Sequence, residues 1–129
     1  MNSLERGRIH LIANNSEAAI ADFTKSTEIN PIAPEGHFEL GKIYLASNNI
    51  EDAEYHFKQC ISSQYSNPAF HYFYARAIGG IDLLKSLDYL KISRKLDIYF
   101  KLERQIEKVL ADYSLWFYHE FNGSQAMKI

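Results

Sequence analysis

Apolar residues recur along the chain with the three- and four-residue spacing of amphipathic helices, not with the alternation typical of strands. The first two such stretches, residues 4–13 and 17–29, are separated only by Asn14-Asn15-Ser16. Asparagine tolerates the left-handed conformation at a helix end, and the Ser16 hydroxyl can cap the helix that follows. Because so short a connection forces the second helix to run back along the first, the pattern predicts an antiparallel pair.

The same pattern returns 34 residues later. Between positions 5 and 23, nine of 19 residues are identical to those at positions 39–57. Ordinary residue usage would give roughly one or two such matches by chance. The identical pairs include Gly7/Gly41, Asn14/Asn48, Ala19/Ala53 and Phe23/Phe57. A fixed period of this size indicates stacked supersecondary units, each burying its apolar face against its neighbours.

The second unit contains Leu40-Gly41-x2-Tyr44 followed by Ala53-x3-Phe57, and this resembles the tetratricopeptide repeat. The first unit matches the same pattern at Gly7, Ala19, Phe23 and Pro31, with His10 at the tyrosine position. Small residues at Gly41 and Ala53 would let two helices approach closely, while Tyr44 and Phe57 fill the space beside them.

A weaker third copy follows. Tyr74-Ala75 takes the place of Leu-Gly, and Ser86-x3-Leu90 that of Ala-x3-Phe, if the turn at Gly79-Gly80 is one residue shorter. We therefore predict an all-α, tetratricopeptide-like helical solenoid of three antiparallel helix pairs within residues 1–97, followed by a C-terminal capping helix. The expected units are 3–34, 35–68 and 69–97.

The capping helix is predicted over residues 98–121, where neither Gly nor Pro interrupts a helical stripe, and residues 122–129 are expected to form a flexible tail. A terminal helix must close the exposed core of a repeat array. Around Leu115-Trp116-Phe117-Tyr118, however, apolar side chains cover most of a turn, which also suits contact with a second copy. The candidate self-association residues are Tyr113, Trp116, Phe117 and Phe121.

Composition narrows the class of protein. The 129 residues are 47% hydrophobic with a net charge of −2, so we expect one folded domain and no nucleic-acid partner. The single cysteine, Cys60, excludes an internal disulfide and is expected to be buried in the second unit, with a reactive thiol as the alternative. Because no signal peptide or membrane-spanning segment is evident, we expect a cytoplasmic location.

Catalytic patterns are missing. The five histidines form neither His-x3-His nor His-Glu-x2-His, and no glycine-rich phosphate loop occurs. His10 and His37 occupy packing positions of the repeat. The expectation is a protein that is not an enzyme and holds neither metal ion nor cofactor.

A ladder of side chains recurs on the first helix of each unit. Apolar residues stand three positions before the glycine-type position, and cations stand one position after it, so each pair shares a helix face. The resemblance implies that this face lines a concave groove that binds a peptide. The predicted groove residues are Leu4, Arg8, Leu11, Phe38, Lys42, Leu45, Tyr72 and Arg76. The alternative is that the cations are merely solvated and that the last helix covers Phe38 and Tyr72.

These patterns predict a noncatalytic adaptor that binds a partner segment with hydrophobic and acidic residues, since cations form charge-assisted hydrogen bonds with carboxylates. The alternative is a self-assembling structural or secretion-chaperone-like protein that forms a homodimer through its C-terminal helix. A receptor for Hsp70 or Hsp90 tails is disfavoured, because the matching positions keep only the charge of Arg8. Those positions are Leu4, Arg8, Glu39, Ala69 and Phe73.

Overall fold

The part of the chain that the structure describes folds into α-helices joined by short turns, as predicted. A computed structural model describes residues 1–98 and 101–124, with side chains described as far as residue 117. No strand occurs among these residues. The helices are α1 (Ser3–Ile12), α2 (Ser16–Ile29), α3 (Pro34–Ala46), α4 (Ile50–Ser63), α5 (Pro68–Ile78), α6 (Leu83–Leu96) and α7 (Glu103–Ser124). Helices α1 to α6 form three consecutive pairs, and each pair packs on the next.

The turn inside each of the first two pairs depends on two asparagines. Asn14 and Asn48 both have φ of 61°, the left-handed conformation expected at a helix end. The backbone N–H of Asn15 then donates to the His10 carbonyl at 2.8 Å, and the same bond recurs 34 residues later at the same distance. The prediction that Ser16 caps α2 is wrong, because Ser16 is already helical and Asn15 accepts the capping hydrogen bond.

Glycine and phenylalanine hold each of the first two pairs together. A Cβ atom built on Gly7 would lie 2.6 Å from the Phe23 ring, and one on Gly41 would lie 2.5 Å from the Phe57 ring. Both rings are completely buried. The close helix approach predicted from the small residues is therefore present, and each ring fills the space left by the missing side chain.

The third pair uses a different combination of residues. Ala75 and Leu90 take the places of glycine and phenylalanine, and both are buried. The Ser86 hydroxyl donates to the Ala75 carbonyl at 2.7 Å across the pair. Eleven positions separate these two residues, against twelve between Gly41 and Ala53, so the turn is shorter by the predicted single residue.

Helix α7 begins later than predicted, at Glu103 instead of residue 98, and continues to Ser124. The delay has a local cause, because the buried Asp97 carboxylate accepts hydrogen bonds from the backbone N–H groups of Lys101 and Leu102 at 2.9 and 2.7 Å. The remainder of the predicted tail, 125–129, lies outside the described residues.

Helix α7 takes the place of the first helix of a fourth unit. Ile106 lies one repeat length after Tyr72 and is fully buried with Tyr72, Ala75 and Leu90. The opposite face of α7 is polar. The α5 residues His71, Tyr74 and Ile78 are buried, whereas the residues 34 positions later are the exposed Gln105, Lys108 and Asp112. That polar face fits a helix that closes the array, as a capping element requires.

Candidate functional site

The apolar members of the predicted groove belong to the packed core rather than to an open row. Leu4 and Leu11 are half-buried against the core between the first two pairs, which includes Phe23 of α2 and Leu40 of α3. Phe38 and Leu45 pack in the same way against the second core. Their outer edges remain accessible, so they can supply part of a binding surface but are held in place by the stack.

Phe38 and Lys42 lie together on α3, as their spacing predicts. The Phe38 ring centroid is 5.1 Å from that of Phe70 and 5.3 Å from that of Phe73, which joins α3 to α5. The Lys42 ammonium lies 4.4 Å from the Phe38 centroid and 2.8 Å from a Glu39 carboxylate oxygen. Aromatic and carboxylate contacts together hold the ammonium over the surface between the first two units.

The assignment of Tyr72 to an open groove requires correction. Its side chain is 6% exposed and lies in a cluster with Ile106 of α7, so a peptide cannot reach the ring unless that helix moves. Arg76 remains exposed, with its guanidinium carbon 5.7 Å from the Tyr72 centroid and 5.5 Å from that of Phe73. The last helix thus covers Tyr72, as the alternative to an open groove predicted for this residue.

The first two units form a pocket of about 530 Å³ between them. Two predicted groove residues, Leu11 and Lys42, line it together with Ile20, Ile43 and Ala46. Glu39, Ser16 and Ser47 contribute its polar edge. We call this the inter-unit pocket; its walls are mostly apolar, with one cation and one carboxylate among them.

Several residues of the inter-unit pocket were not predicted. Ile20 comes from the second helix of the first unit, and Ile43 lies one position after Lys42 on α3. The signal for Glu39 was present, since it repeats Glu5 and stands three positions before Lys42 on one helix face. Nothing local in the sequence indicates that Ile20 and Ile43 meet across two units.

The predicted cations are not gathered in one cavity. Arg76 lines a second pocket, of about 500 Å³, beside Gly79, Asp112 and Trp116. Arg8 is exposed on α1 and has no ion-pair partner among the described residues. Its neighbour Arg6 instead holds the Asp22 carboxylate through three contacts of 2.9 to 3.1 Å.

The candidate self-association residues have different roles. The Tyr113 hydroxyl lies 2.8 Å from the Ser86 hydroxyl and against Gly79, so Tyr113 attaches α7 to its own chain. Trp116 is 52% exposed, and its ring packs edge-on to the half-buried Phe117 at 5.2 Å. The side chain of Phe121 lies outside the described part of the chain.

A histidine pair sits within the second unit. The Nδ1 atoms of His37 and His56 are 3.0 Å apart, a distance that requires one to donate and the other to accept. Burial, and then the neighbouring His37, lowers the pKa of His56 to about 4, against a weaker raising influence of Asp52. Burial also lowers the pKa of His37, opposed by the Pro31 backbone. At neutral pH both rings are therefore uncharged, and His37 is buried at the position where a structural histidine was predicted.

We expect this pair to make stability depend on pH. Above the ordinary histidine pKa of 6.5, neither the folded nor the unfolded chain is protonated there. As pH falls from 6.5 to about 4, His56 is protonated in the unfolded chain but stays neutral in the folded chain. The free energy of unfolding therefore falls over this range. After allowance for solvent screening, the loss is about 1–2 kcal/mol.

Urea denaturation at intervals of pH measures this effect. His56→Gln should flatten the difference between neutral and acid pH, whereas Ser62→Gln, at an exposed position of the same helix, should leave the pH profile unchanged. Equal acid destabilisation of the wild type and His56→Gln would contradict the assignment.

The described side chains form neither a metal site nor a reactive thiol. They contain no group of three or more histidine, cysteine, aspartate or glutamate residues able to hold a metal ion. Cys60 is fully buried, as expected, and burial raises the pKa of its thiol to about 12, which disfavours the reactive thiolate. None of the helices among the described residues contains an apolar stretch of the length that a bilayer span requires.

Consecutive antiparallel helix pairs, each packed on the next, define a helical repeat protein. Residues 4–32 and 34–67 match the family model of the tetratricopeptide repeat, which identifies the first two units as tetratricopeptide repeats. No curated protein matches the chain. Tetratricopeptide repeats generally mediate protein–protein interactions and are typically noncatalytic.

Proposed function

We propose that the chain is a noncatalytic adaptor that binds a peptide segment of a partner at the inter-unit pocket. The observation that carries this proposal is the combination of an apolar recess with a single fixed cation. Leu11, Ile20 and Ile43 provide contact for a hydrophobic side chain, while Lys42 stands at the same pocket.

Lys42 adds selectivity for charge. Its ammonium is already 2.8 Å from Glu39, so the pair as a whole is close to neutral. An acidic residue of the partner would share the Lys42 ammonium with Glu39. Arg8 of α1 is exposed and has no ion-pair partner among the described residues, so it offers a second cation to such a segment. A segment with one hydrophobic anchor followed by carboxylates suits this arrangement.

A displayed library of random 12-residue peptides provides the probe, and selected peptides should carry a hydrophobic anchor beside acidic residues. Ala46→Trp fills the pocket from an exposed position of α3 and should weaken binding of the selected peptides by at least about tenfold. Ala21→Trp is the matched control, because Ala21 is an exposed helical alanine that does not line the pocket.

The charge is tested separately by Lys42→Glu, which should reverse the selected preference from acidic towards basic peptides while helicity is retained. Lys58→Glu makes the same change on an exposed residue of α4 and should leave the preference intact. If Ala46→Trp and Lys42→Glu both bind the peptides as the wild type does, the inter-unit pocket is not the binding site.

A further inference from the structure

A second surface lies at the other end of the array, where the turn between α5 and α6 meets α7. Its pocket is lined by the charged residues Arg76 and Asp112 and by the exposed apolar residues Ile81 and Trp116. We call these four residues the C-terminal patch. Ile81 is 70% exposed and Trp116 52%, so two large apolar side chains are accessible in one recess.

The recess itself is open because two glycines line it. A Cβ atom on Gly80 would meet nothing within 4 Å, whereas one on Gly79 would meet the Tyr113 hydroxyl. Tyr113 in turn contacts the Ser86 hydroxyl, which fixes α7 at this point. The Trp116 ring therefore projects from a positioned helix beside space that its own chain leaves unfilled.

The charges of the C-terminal patch complement each other. The Arg76 guanidinium is oriented by the Tyr72 and Phe73 rings, and neither Arg76 nor Asp112 makes an ion pair with any described residue. A patch that holds one unpaired cation and one unpaired carboxylate can face a copy of itself across a twofold axis. Each charge then meets its opposite on the other copy, as an isologous interface requires.

We propose that the C-terminal patch is a homodimer interface, in which Arg76 of each copy pairs with Asp112 of the other around the two Trp116 rings. The occupant is thus a second copy of this chain. The inter-unit pocket lies between the first two units and stays free in such a dimer, so the two proposals stand or fall independently.

Sedimentation equilibrium of the wild type should show a monomer–dimer equilibrium in the micromolar range. Arg76→Asp and Asp112→Arg should each weaken the dimer by at least about tenfold, because each places like charges opposite one another twice. An equimolar mixture of the two variants should restore association to within about threefold of the wild type, since every pair is then opposite again. Each variant chain keeps its own altered charge in the mixture. Restored association therefore requires contact between two different chains.

Two further variants separate the apolar contact from general effects. Trp116→Ala should weaken the dimer by about tenfold or more without loss of helicity. Glu107→Arg changes the charge of the same helix at an exposed position outside the pocket and should leave association unchanged.

The proposal is overturned by a wild type that remains monomeric to about 500 µM. It is also overturned by a dimer that persists in both charge variants, or by variants whose mixture fails to associate. A monomeric wild type whose peptide affinity falls with Arg76→Asp would assign the patch to a peptide instead.

Discussion

Gly41→Ala is expected to destabilise the protein by about 2–3 kcal/mol, a large effect for one methyl group. The added carbon would lie 2.5 to 2.8 Å from three atoms of the Phe57 ring, and that ring is completely buried between the helices of the second pair. It has no free space into which to move, so the helices must separate. Chemical denaturation measures the change, and the midpoint should fall at an unchanged slope.

The third unit shows how the clash can be relieved. There Ala75 and Leu90 occupy the equivalent positions, and both are buried. The double variant Gly41→Ala/Phe57→Leu copies that pair and should be no less stable than Phe57→Leu alone, which costs about 1 kcal/mol.

Gly80→Ala is the control, since a Cβ atom there meets nothing, and it should change stability by less than about 0.5 kcal/mol. A Gly41→Ala protein as stable as the wild type would show that the α3–α4 spacing is looser than the structure indicates.

Ile106→Ala is the second substitution with a large expected effect, about 3 kcal/mol of local stability lost at the end of the array. Ile106 is the fully buried residue through which α7 covers Tyr72 and Leu90. Among the described residues, the backbone of α7 approaches the rest of the chain at fewer points than the paired helices approach each other. Its detachment therefore does not require the first two units to unfold.

Amide hydrogen exchange followed by mass spectrometry distinguishes local from global loss. Peptides from α7 should exchange much faster in Ile106→Ala, while those from α1 to α4 keep their wild-type protection. Leu115→Ala, at an exposed position of the same helix, should alter neither. Uniform acceleration across all seven helices would show that α7 is part of the cooperative core and not a separable cap.

Local rules accounted for much of the fold. The left-handed asparagines, the glycine–phenylalanine contacts and the shorter turn of the third unit each depend on residues within one helix pair. Such contacts repeat with the sequence period, so a repeated residue implies a repeated contact. The start of α7 could not be predicted in this way, because it depends on which backbone groups the buried Asp97 happens to satisfy.

The binding surfaces were less predictable. Phe38 and Tyr72 occupy the same position of successive units, yet one is half-buried and the other almost completely covered. The difference comes from Ile106, which lies one repeat further along the chain. Similarly, Arg76 joins Asp112 and Trp116 in a pocket only because α7 returns to the stack.

The sequence by itself determined the repeat unit and its stacking, because a 34-residue period of small and large residues leaves only one efficient way to bury its apolar faces. The tertiary structure alone decided which of the repeated positions stay open. The exposure of a repeated side chain depends on the element that packs against its unit. The second unit is followed by another helix pair, whereas the third is followed by α7. Equivalent residues thus become core in one unit and surface in another.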